Sequence, residues 1–247
     1  MPELPEVETT RRGITPYVKK QRVDNVVIHQ ASLRWPVPRN LKRNLQDQTI
    51  KDIQRRAKYL LFETDTGYLI VHLGMSGSLR MVDNKIAAKK HDHVDIVFNK
   101  KTLRFHDPRR FGSMLWTKQN PLQHKLLKSL GPEPLSDEFT GIYLHQLAQG
   151  KKVNVKNFIM NSHIVVGVGN IYASESLFLS GIHPQRAAGN ISLKRYETLT
   201  ENIKQVLCDA IELGGTTLRD FVREDGKPGY FANKLNVYKQ AGMPCPV

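Results

Sequence analysis

The chain has 247 residues, and its 37 lysines and arginines against 23 aspartates and glutamates give a formal net charge of +14. This length suffices to bury a sizeable core and favours two domains, while the charge indicates a polyanionic partner, either nucleic acid or an anionic membrane surface. No apolar run approaches the roughly 18 residues of a membrane span and the acidic start lacks a signal-peptide layout, so we expect a cytoplasmic protein outside the membrane.

The first half of the chain predicts one helix followed by short strands. Residues 5–19 predict the helix, although Gly13 and Pro16 weaken its second half. Turn residues at 65–67 and 99–101 predict hairpins, and together the pattern predicts an α+β fold that begins with an antiparallel β-sandwich. Short apolar or alternating runs predict the strands at 22–30, 50–56, 58–64, 68–73, 94–98 and 113–117.

Helical periods dominate after residues 130–134, whose Gly and Pro predict an interdomain linker. Between Leu193 and Ile211 the apolar residues keep three-and-four spacing, with Ser192 placed to cap the helix and Gly214 to end it. A glycine-rich segment at 165–170 separates a helical stretch from residues 171–180, which predicts a helix, two tight turns and a second helix.

The N-terminal sequence MPELPEVE carries a specific chemical signal. Removal of Met1 would leave Pro2 as a secondary amine with a pKa of roughly 8, so that a useful fraction is uncharged and nucleophilic near neutral pH. Its attack on an aldose carbon would give an iminium that opens a route to elimination, with Glu3 beside it as a proton shuttle. The plainer alternative is that Pro2 only permits Met removal and that Glu6 and Glu8 form the acidic first turn of a helix.

Ordered motifs from residue 1 to about 245 resemble the bacterial formamidopyrimidine-DNA glycosylases, base-excision enzymes for oxidised purines. These motifs are PELPEVETTRRG, AKYLLFE, HLGMSGSLR, KHDHVDIVF, DPRRFG, LGPEPLS, VVGVGNIYASESLF and GGTTLRDF. The resemblance implies a monomeric enzyme that acts on double-stranded DNA, removes 8-oxoguanine and formamidopyrimidines, and cleaves the abasic site by β- and δ-elimination through a Schiff base at Pro2. It also implies three segments: a catalytic sandwich at 2–130, a helical DNA-binding domain at 135–240 and a zinc-finger remnant at 241–247.

The same resemblance assigns roles to residues in the matching motifs. Pro2, Glu3 and Lys58 correspond to catalytic residues, Lys58 assisting proton transfer during β-elimination. A further six residues correspond to DNA contacts, and three of them, Met75, Arg110 and Phe111, wedge into the duplex to fill the space of the extruded nucleotide. The six are His91, Arg110, Lys151, Asn170, Met75 and Phe111.

Each of these residues also has a plainer interpretation. Lys58 follows two arginines and could belong to a solvated charge run, and Met75 could fill the core. Asn170 could cap a helix that begins at Ile171. His91 and His93 lie two apart, which predicts two imidazoles on one strand face; a metal site there lacks a third ligand, and a structural hydrogen-bonding role is favoured for His93.

The C-terminal part departs from the family pattern. Residues 214–230 resemble the family's lesion-capping loop, with Thr216, Thr217, Gly226 and Gly229 in it. Relatives continue into a four-cysteine zinc hairpin, whereas this sequence offers only Cys245 of the four, so we expect no zinc or other cofactor and reduced δ-elimination. Cys208 and Cys245 are the only cysteines, which argues against a disulfide framework and fits a reducing compartment.

Two other functions stay open alongside the bifunctional glycosylase and abasic-site lyase. One is a damage-binding protein without turnover, which retention of Pro2 and Glu3 disfavours. The other is the sister glycosylase for oxidised pyrimidines, which shares the proline chemistry. Leu4 and the long segment after Gly214 favour the purine enzyme.

Overall fold

The computed structural model describes residues 2–215 and 234–246, and these divide into two compact units. One unit contains residues 2–128 together with Gly214 and Gly215. The other contains residues 129–213 and 234–246. No helix among the described residues has the length and apolar character that crossing a bilayer requires.

Helix α1, Leu4–Val18, opens the first unit and confirms the helix predicted at 5–19. Its start is fixed by a capping box in which Glu3 and Glu6 each accept from the other's backbone N–H, satisfying two donors that the helix leaves unpaired. The helix runs through Pro16, and its buried apolar face includes Val7, Ile14 and Val18. Those side chains belong to the core of the sandwich, which fixes where the N-terminal residues lie.

Two four-stranded antiparallel sheets follow, which confirms the predicted α+β class. One sheet has the strand order β1-β6-β7-β5 and the other β2-β3-β4-β8. A five-residue helix, α2, Leu41–Leu45, connects the first two strands. The strands are β1 Asn25–Ile28, β2 Asp52–Arg56, β3 Tyr59–Glu63, β4 Tyr68–His72, β5 Ser78–Asp83, β6 Asp92–Val97, β7 Lys101–His106 and β8 Ser113–Thr117.

The sequence pattern missed α2, β5 and β7. In β7 the alternation is obscured by Arg104, a charged residue that is only 5% exposed. Its guanidinium donates to both carboxylate oxygens of Asp95 at 2.8 Å, so a polar pair occupies positions where hydrophobic residues are expected. The six predicted strands are each present, with ends shifted by up to three residues.

One hydrophobic core contains residues from both sheets and from α1 and α2. Phe62, Leu69 and Val71 come from one sheet, while Val94 and Phe105 come from the other. All five side chains are essentially inaccessible to solvent. The loops that connect these strands are therefore anchored at both ends in a close-packed core.

The second unit is helical where it is described. It contains α3 Gly141–Ala148, α4 Val155–Met160, α5 Asn170–Leu179 and α6 Leu193–Glu212. The two turns between α4 and α5 confirm the predicted helix, two-turn, helix arrangement. Helix α6 confirms the predicted amphipathic helix, with Ser192 at the N-cap and Gly214 just beyond its end at a φ of +77°.

Truncation of a core leucine tests the packing of the first unit. Leu69 in β4 is fully buried, whereas Leu122 is 46% exposed. We expect Leu69→Ala to lower the free energy of unfolding by about 2–5 kcal/mol, because it removes buried methyl groups and leaves a cavity. The matched variant Leu122→Ala should change it by less than about 0.5 kcal/mol. Equal denaturant midpoints for the two variants would contradict this packing.

Candidate active site and nucleic-acid interface

The start of α1 buries two carboxyl groups next to Pro2. Pro2 is buried, and Glu3 and Glu6 are 3% and 2% exposed. The Glu3 N–H donates to Glu6 Oε2 at 2.8 Å, so the capping box fixes both side chains at the helix N-terminus. The positive end of the helix dipole stabilises negative charge at this position. Pro2 and Glu3, two of the predicted catalytic residues, therefore share one rigid and largely dry environment.

Lys58 belongs to the same environment. It lies in the tight turn between β2 and β3, and Glu3 and Glu6 are the two carboxylates that attract its ammonium group. Burial lowers the pKa of Lys58 below its ordinary value, and the attraction to Glu3 and Glu6 only partly opposes this. The solvated charge run is thus the wrong interpretation for Lys58. An amine with a lowered pKa next to carboxylates is suited to proton transfer.

A cluster of arginines around Glu8 fixes the turn that carries Lys58. Arg55 Nε donates to Glu8 Oε2 at 3.3 Å, and its NH1 donates to the Ala57 carbonyl at 3.0 Å. Ala57 has a φ of +55°, a left-handed conformation that needs such support in a residue other than glycine. Burial alone would raise the pKa of Glu8, but hydrogen bonds from Arg11 and Arg12 hold it below its ordinary value. Glu8 therefore remains an anion that ties β2 to α1.

His72 lines a cavity of the same unit and is close enough to Lys58 to be repelled by its charge. Burial, and then repulsion from Lys58 and Arg34, lowers the pKa of His72 from 6.5 to about 4. Its Nδ1 accepts from the Gly74 N–H at 3.0 Å, which requires a neutral ring, and the ring packs against Tyr59 with 4.7 Å between centroids. The His72 ring is thus uncharged at physiological pH.

The cavity, of about 650 Å³, is lined by the three predicted wedge residues. Met75 comes from the β4–β5 loop, and Arg110 and Phe111 come from the β7–β8 loop. Met75 is 36% exposed and Phe111 is 43% exposed, which is unusual for large apolar side chains and inconsistent with Met75 as a core filler. The structure thus brings together the three residues that the resemblance grouped.

Asp107 organises the loop that carries Arg110 and Phe111, and the sequence analysis missed it. The residue is fully buried, and its carboxylate accepts from Ser76 Oγ at 2.7 Å and from the Gly112 N–H at 2.8 Å. A DPRR sequence is compatible with an ordinary surface turn, so only the fold reveals that this aspartate is internal. The sole available signal was an acidic residue between a buried strand and a Pro-Arg-Arg turn.

The imidazoles of His91 and His93 lie near each other, with 6.5 Å between ring centroids, but the prediction that they share one strand face is wrong. His91 precedes β6 and has a φ of +74°, and β6 has a register shift between Asp92 and Val94. His93 is 5% exposed and its Nε2 donates to the Asp107 carbonyl at 2.7 Å, which confirms its structural hydrogen-bonding role. Among residues 2–215 and 234–246 no group of three or more candidate metal ligands lies together. Cys245 belongs to no such group, so the described residues do not fit a four-ligand zinc site.

Lys151 and Asn170 belong to the second unit. Lys151 is exposed, and its backbone N–H donates to the Ala148 carbonyl in a turn. Asn170 is exposed at the first position of α5, and Gly169 occupies the N-cap. The predicted cap at Asn170 is therefore off by one residue, and the Asn170 carbonyl accepts from Ser174 Oγ at 2.8 Å. Met1, Thr216, Thr217, Gly226 and Gly229 lie outside the described residues.

Comparisons with known proteins agree with this arrangement of a two-sheet unit and a helical unit. Residues 1–114 match the model of the formamidopyrimidine-DNA glycosylase N-terminal domain, and residues 130–222 match the model of the formamidopyrimidine-DNA glycosylase H2TH domain. A formamidopyrimidine-DNA glycosylase from Hydrogenovibrio crunogenus is 58% identical over 247 residues, which cover 100% of this chain and 88% of that relative.

Solved structures give the same result. The MutM (Fpg) protein of Thermus thermophilus superposes with a TM-score of 0.89 at 37% identity, covering 100% of this chain and 90% of the other. The Lactococcus lactis Fpg, solved with DNA that contains an abasic site, gives a TM-score of 0.91 at 32% identity, covering 99% and 90%. Fold and sequence therefore define a base-excision DNA glycosylase. The chain belongs to the formamidopyrimidine-DNA glycosylase family, which acts on oxidised purines.

Because the pKa of His72 is lowered by folding, we expect the free energy of unfolding to depend on pH. The folded state holds the neutral ring, whereas the unfolded chain takes up a proton below about pH 6.5, so stability is lost as the pH falls from 6.5 towards 4. A shift of this size corresponds to at most about 3 kcal/mol. We expect the difference in unfolding free energy between the parent and His72→Gln to shrink by up to that amount from pH 7 to pH 4. A difference that is constant with pH would contradict a neutral buried His72.

Proposed function

We propose that the protein is a bifunctional DNA glycosylase and abasic-site lyase that removes 8-oxoguanine and formamidopyrimidines and acts through the amine of Pro2. The observation that carries the proposal is the burial of Pro2 and Glu3 at the start of α1, where Lys58 is attracted by Glu3 and Glu6. A net charge of +14 supports a DNA partner. The similar Lactococcus lactis protein has been solved with abasic-site DNA.

The proposed first step forms a bond between the Pro2 nitrogen and C1′ of the damaged nucleotide. The uncharged amine attacks C1′ while the glycosidic bond breaks. The electron pair of the glycosidic bond leaves with the base, which takes up a proton. The new ammonium then gives its proton to O4′ as the C1′–O4′ bond opens, which leaves an iminium. Glu3 is the group placed to carry that proton, because its carboxyl is held beside Pro2 by the capping box.

The second proposed step is strand cleavage. The iminium acidifies C2′, so removal of a C2′ proton and departure of the 3′ phosphate break the C3′–O bond. Lys58 assists this proton transfer, since its lowered pKa brings it closer to neutral pH than an ordinary lysine. Water then hydrolyses the iminium and regenerates the amine.

DNA binding is proposed for residues on both units. His91, Arg110, Lys151 and Asn170 contact the DNA, and Arg110 with Met75 and Phe111 fills the space of the extruded nucleotide. Extrusion costs a few kcal/mol of stacking and pairing, so a plug with apolar and cationic groups stabilises the open state. The exposed apolar surface of Met75 and Phe111 at one cavity supports this role.

Acylation of the N-terminal amine tests the nucleophile. A version with an uncleavable Gly-Ser extension before Pro2 turns the secondary amine into an amide, which cannot attack C1′. We expect the parent with Met1 removed to give a borohydride-stabilised adduct on abasic-site DNA and the extended version to give none, while both bind the DNA. An extended protein that still forms the adduct, at a residue other than its new N-terminal amine, would exclude Pro2. A parent that binds without an adduct would indicate a damage-binding protein without turnover.

Removal of the Lys58 amine tests its role in proton transfer. We expect Lys58→Met to slow strand cleavage by roughly 10²- to 10⁴-fold, the usual contribution of a positioned acid–base group. The matched variant is Lys51→Met, because Lys51 is about half exposed and pairs with Asp65 at 3.4 Å at the surface. Gel assays of single-turnover cleavage measure both. Equal rates in the two variants would remove Lys58 from the mechanism.

A further inference from the structure

Asp107 connects two loops through its side chain. Its Oδ1 accepts from Ser76 Oγ at 2.7 Å, and Ser76 directly follows Met75. Its Oδ2 accepts from the N–H of Gly112, which directly follows Phe111, at 2.8 Å. The Arg109 N–H lies 3.3 Å from both Asp107 Oδ1 and Ser76 Oγ. One buried carboxylate therefore bonds to the neighbours of two wedge residues on separate loops.

The backbone of Asp107 connects a third loop. Its N–H donates to the His91 carbonyl at 2.9 Å, and its own carbonyl accepts from the Arg110 N–H at 3.2 Å. The same carbonyl accepts from His93 Nε2 at 2.7 Å. His91 and Arg110 have φ values of +74° and +57°, so both are held in left-handed conformations that bulky residues rarely adopt.

Close backbone packing leaves these loops little freedom to adjust. A Cβ at Gly74 would lie 2.4 Å from the Gly112 nitrogen, and one at Gly112 would lie 2.6 Å from the Phe105 ring. At Gly74 the two loops thus touch backbone to backbone, and at Gly112 the loop packs on the buried Phe105 ring. The Arg109 guanidinium lies 4.8 Å from the centroid of the Phe111 ring, which also orients that side chain.

We propose that Asp107 is a positioning residue that holds Met75, His91, Arg110 and Phe111 as one preformed wedge for nucleotide extrusion. The inference rests on the proposed function, in which these four residues contact DNA. Asp107 itself is fully buried and touches no reacting atom. A wedge that is assembled before binding requires no ordering of loops while the duplex opens. Preorganisation therefore favours nucleotide extrusion and does not change the reaction at Pro2.

The experiment compares Asp107→Asn on two substrates. In the variant an NH₂ group replaces one of the two carboxylate oxygens. This NH₂ faces a group that donated a hydrogen bond to that oxygen, so one loop is held less tightly. We expect single-turnover excision from an 8-oxoguanine–cytosine duplex to slow by about 10- to 100-fold, as for a small misplacement of substrate-contacting groups. Borohydride adduct formation on a single strand with an abasic site, where no base pair is opened, should stay within about threefold of the parent.

Two further variants separate positioning from stability. Asp95→Asn removes another buried carboxylate of the same sandwich, one that pairs with Arg104 and His29 and is bonded to none of the wedge loops. It should be less stable than the parent but keep the parent's ratio of duplex to single-strand rates. Ser76→Ala removes only the hydroxyl that bonds to Asp107, and it should show a smaller deficit confined to the duplex. It therefore tests the proposal even where Asp107→Asn does not fold.

The outcomes are distinct. Deficits confined to the duplex for Asp107→Asn and Ser76→Ala support the positioning role, and a weaker lesion pair, which is easier to open, should reduce them. Equal deficits on both substrates, or no deficit on either, overturn the positioning role. In that case an adduct formed by the parent still supports the proposed function. A parent that neither excises the base nor forms an adduct overturns the function and the wedge together.

Discussion

The site depends on keeping a lysine charge and two carboxylates together at the edge of a hydrophobic core. An isolated buried charge is costly, and the cost falls only when the group is paired and hydrogen-bonded. Lys58 is desolvated, and Glu3 and Glu6 supply the opposing charge. Helix α1 must therefore begin where it does, since the capping box at its first turn is what fixes both carboxylates.

Much of the surrounding structure follows from that requirement. The apolar face of α1 packs into the sandwich core, and Glu8, one turn further along, binds arginines from α1 and β2. Arg55 in turn supports the left-handed Ala57 just before Lys58. Three of the six non-glycine residues with positive φ among the described residues, Ala57, His91 and Arg110, border the candidate site. Half of these left-handed residues thus lie where function is proposed.

The sequence predicted most regular elements and the grouping of Met75, Arg110 and Phe111 at one cavity, but not the polar interactions that arrange them. Helices α1 and α6 were predictable because capping residues and apolar spacing agree. Strand β7 was missed because Arg104 is buried against Asp95, a pairing that no local pattern reveals. Asp107 was missed for the same reason, since its partners Ser76 and Gly112 become neighbours only after folding. The assignment of His91 and His93 to one strand face was wrong, because it assumes regular alternation along the strand and a register shift interrupts that alternation.

The proposed roles of Pro2 and Lys58 can be separated by locating the covalent bond, because a free α-amino group is ordinarily less basic than lysine and burial lowers the pKa of Lys58. The direct measurement is mass spectrometry of peptides from the protein after borohydride reduction on abasic-site DNA. We expect the sugar remnant on the nitrogen of Pro2, with Lys58 unmodified. A remnant on Lys58 Nζ would contradict the assignment to Pro2, because Lys58 would then be the nucleophile.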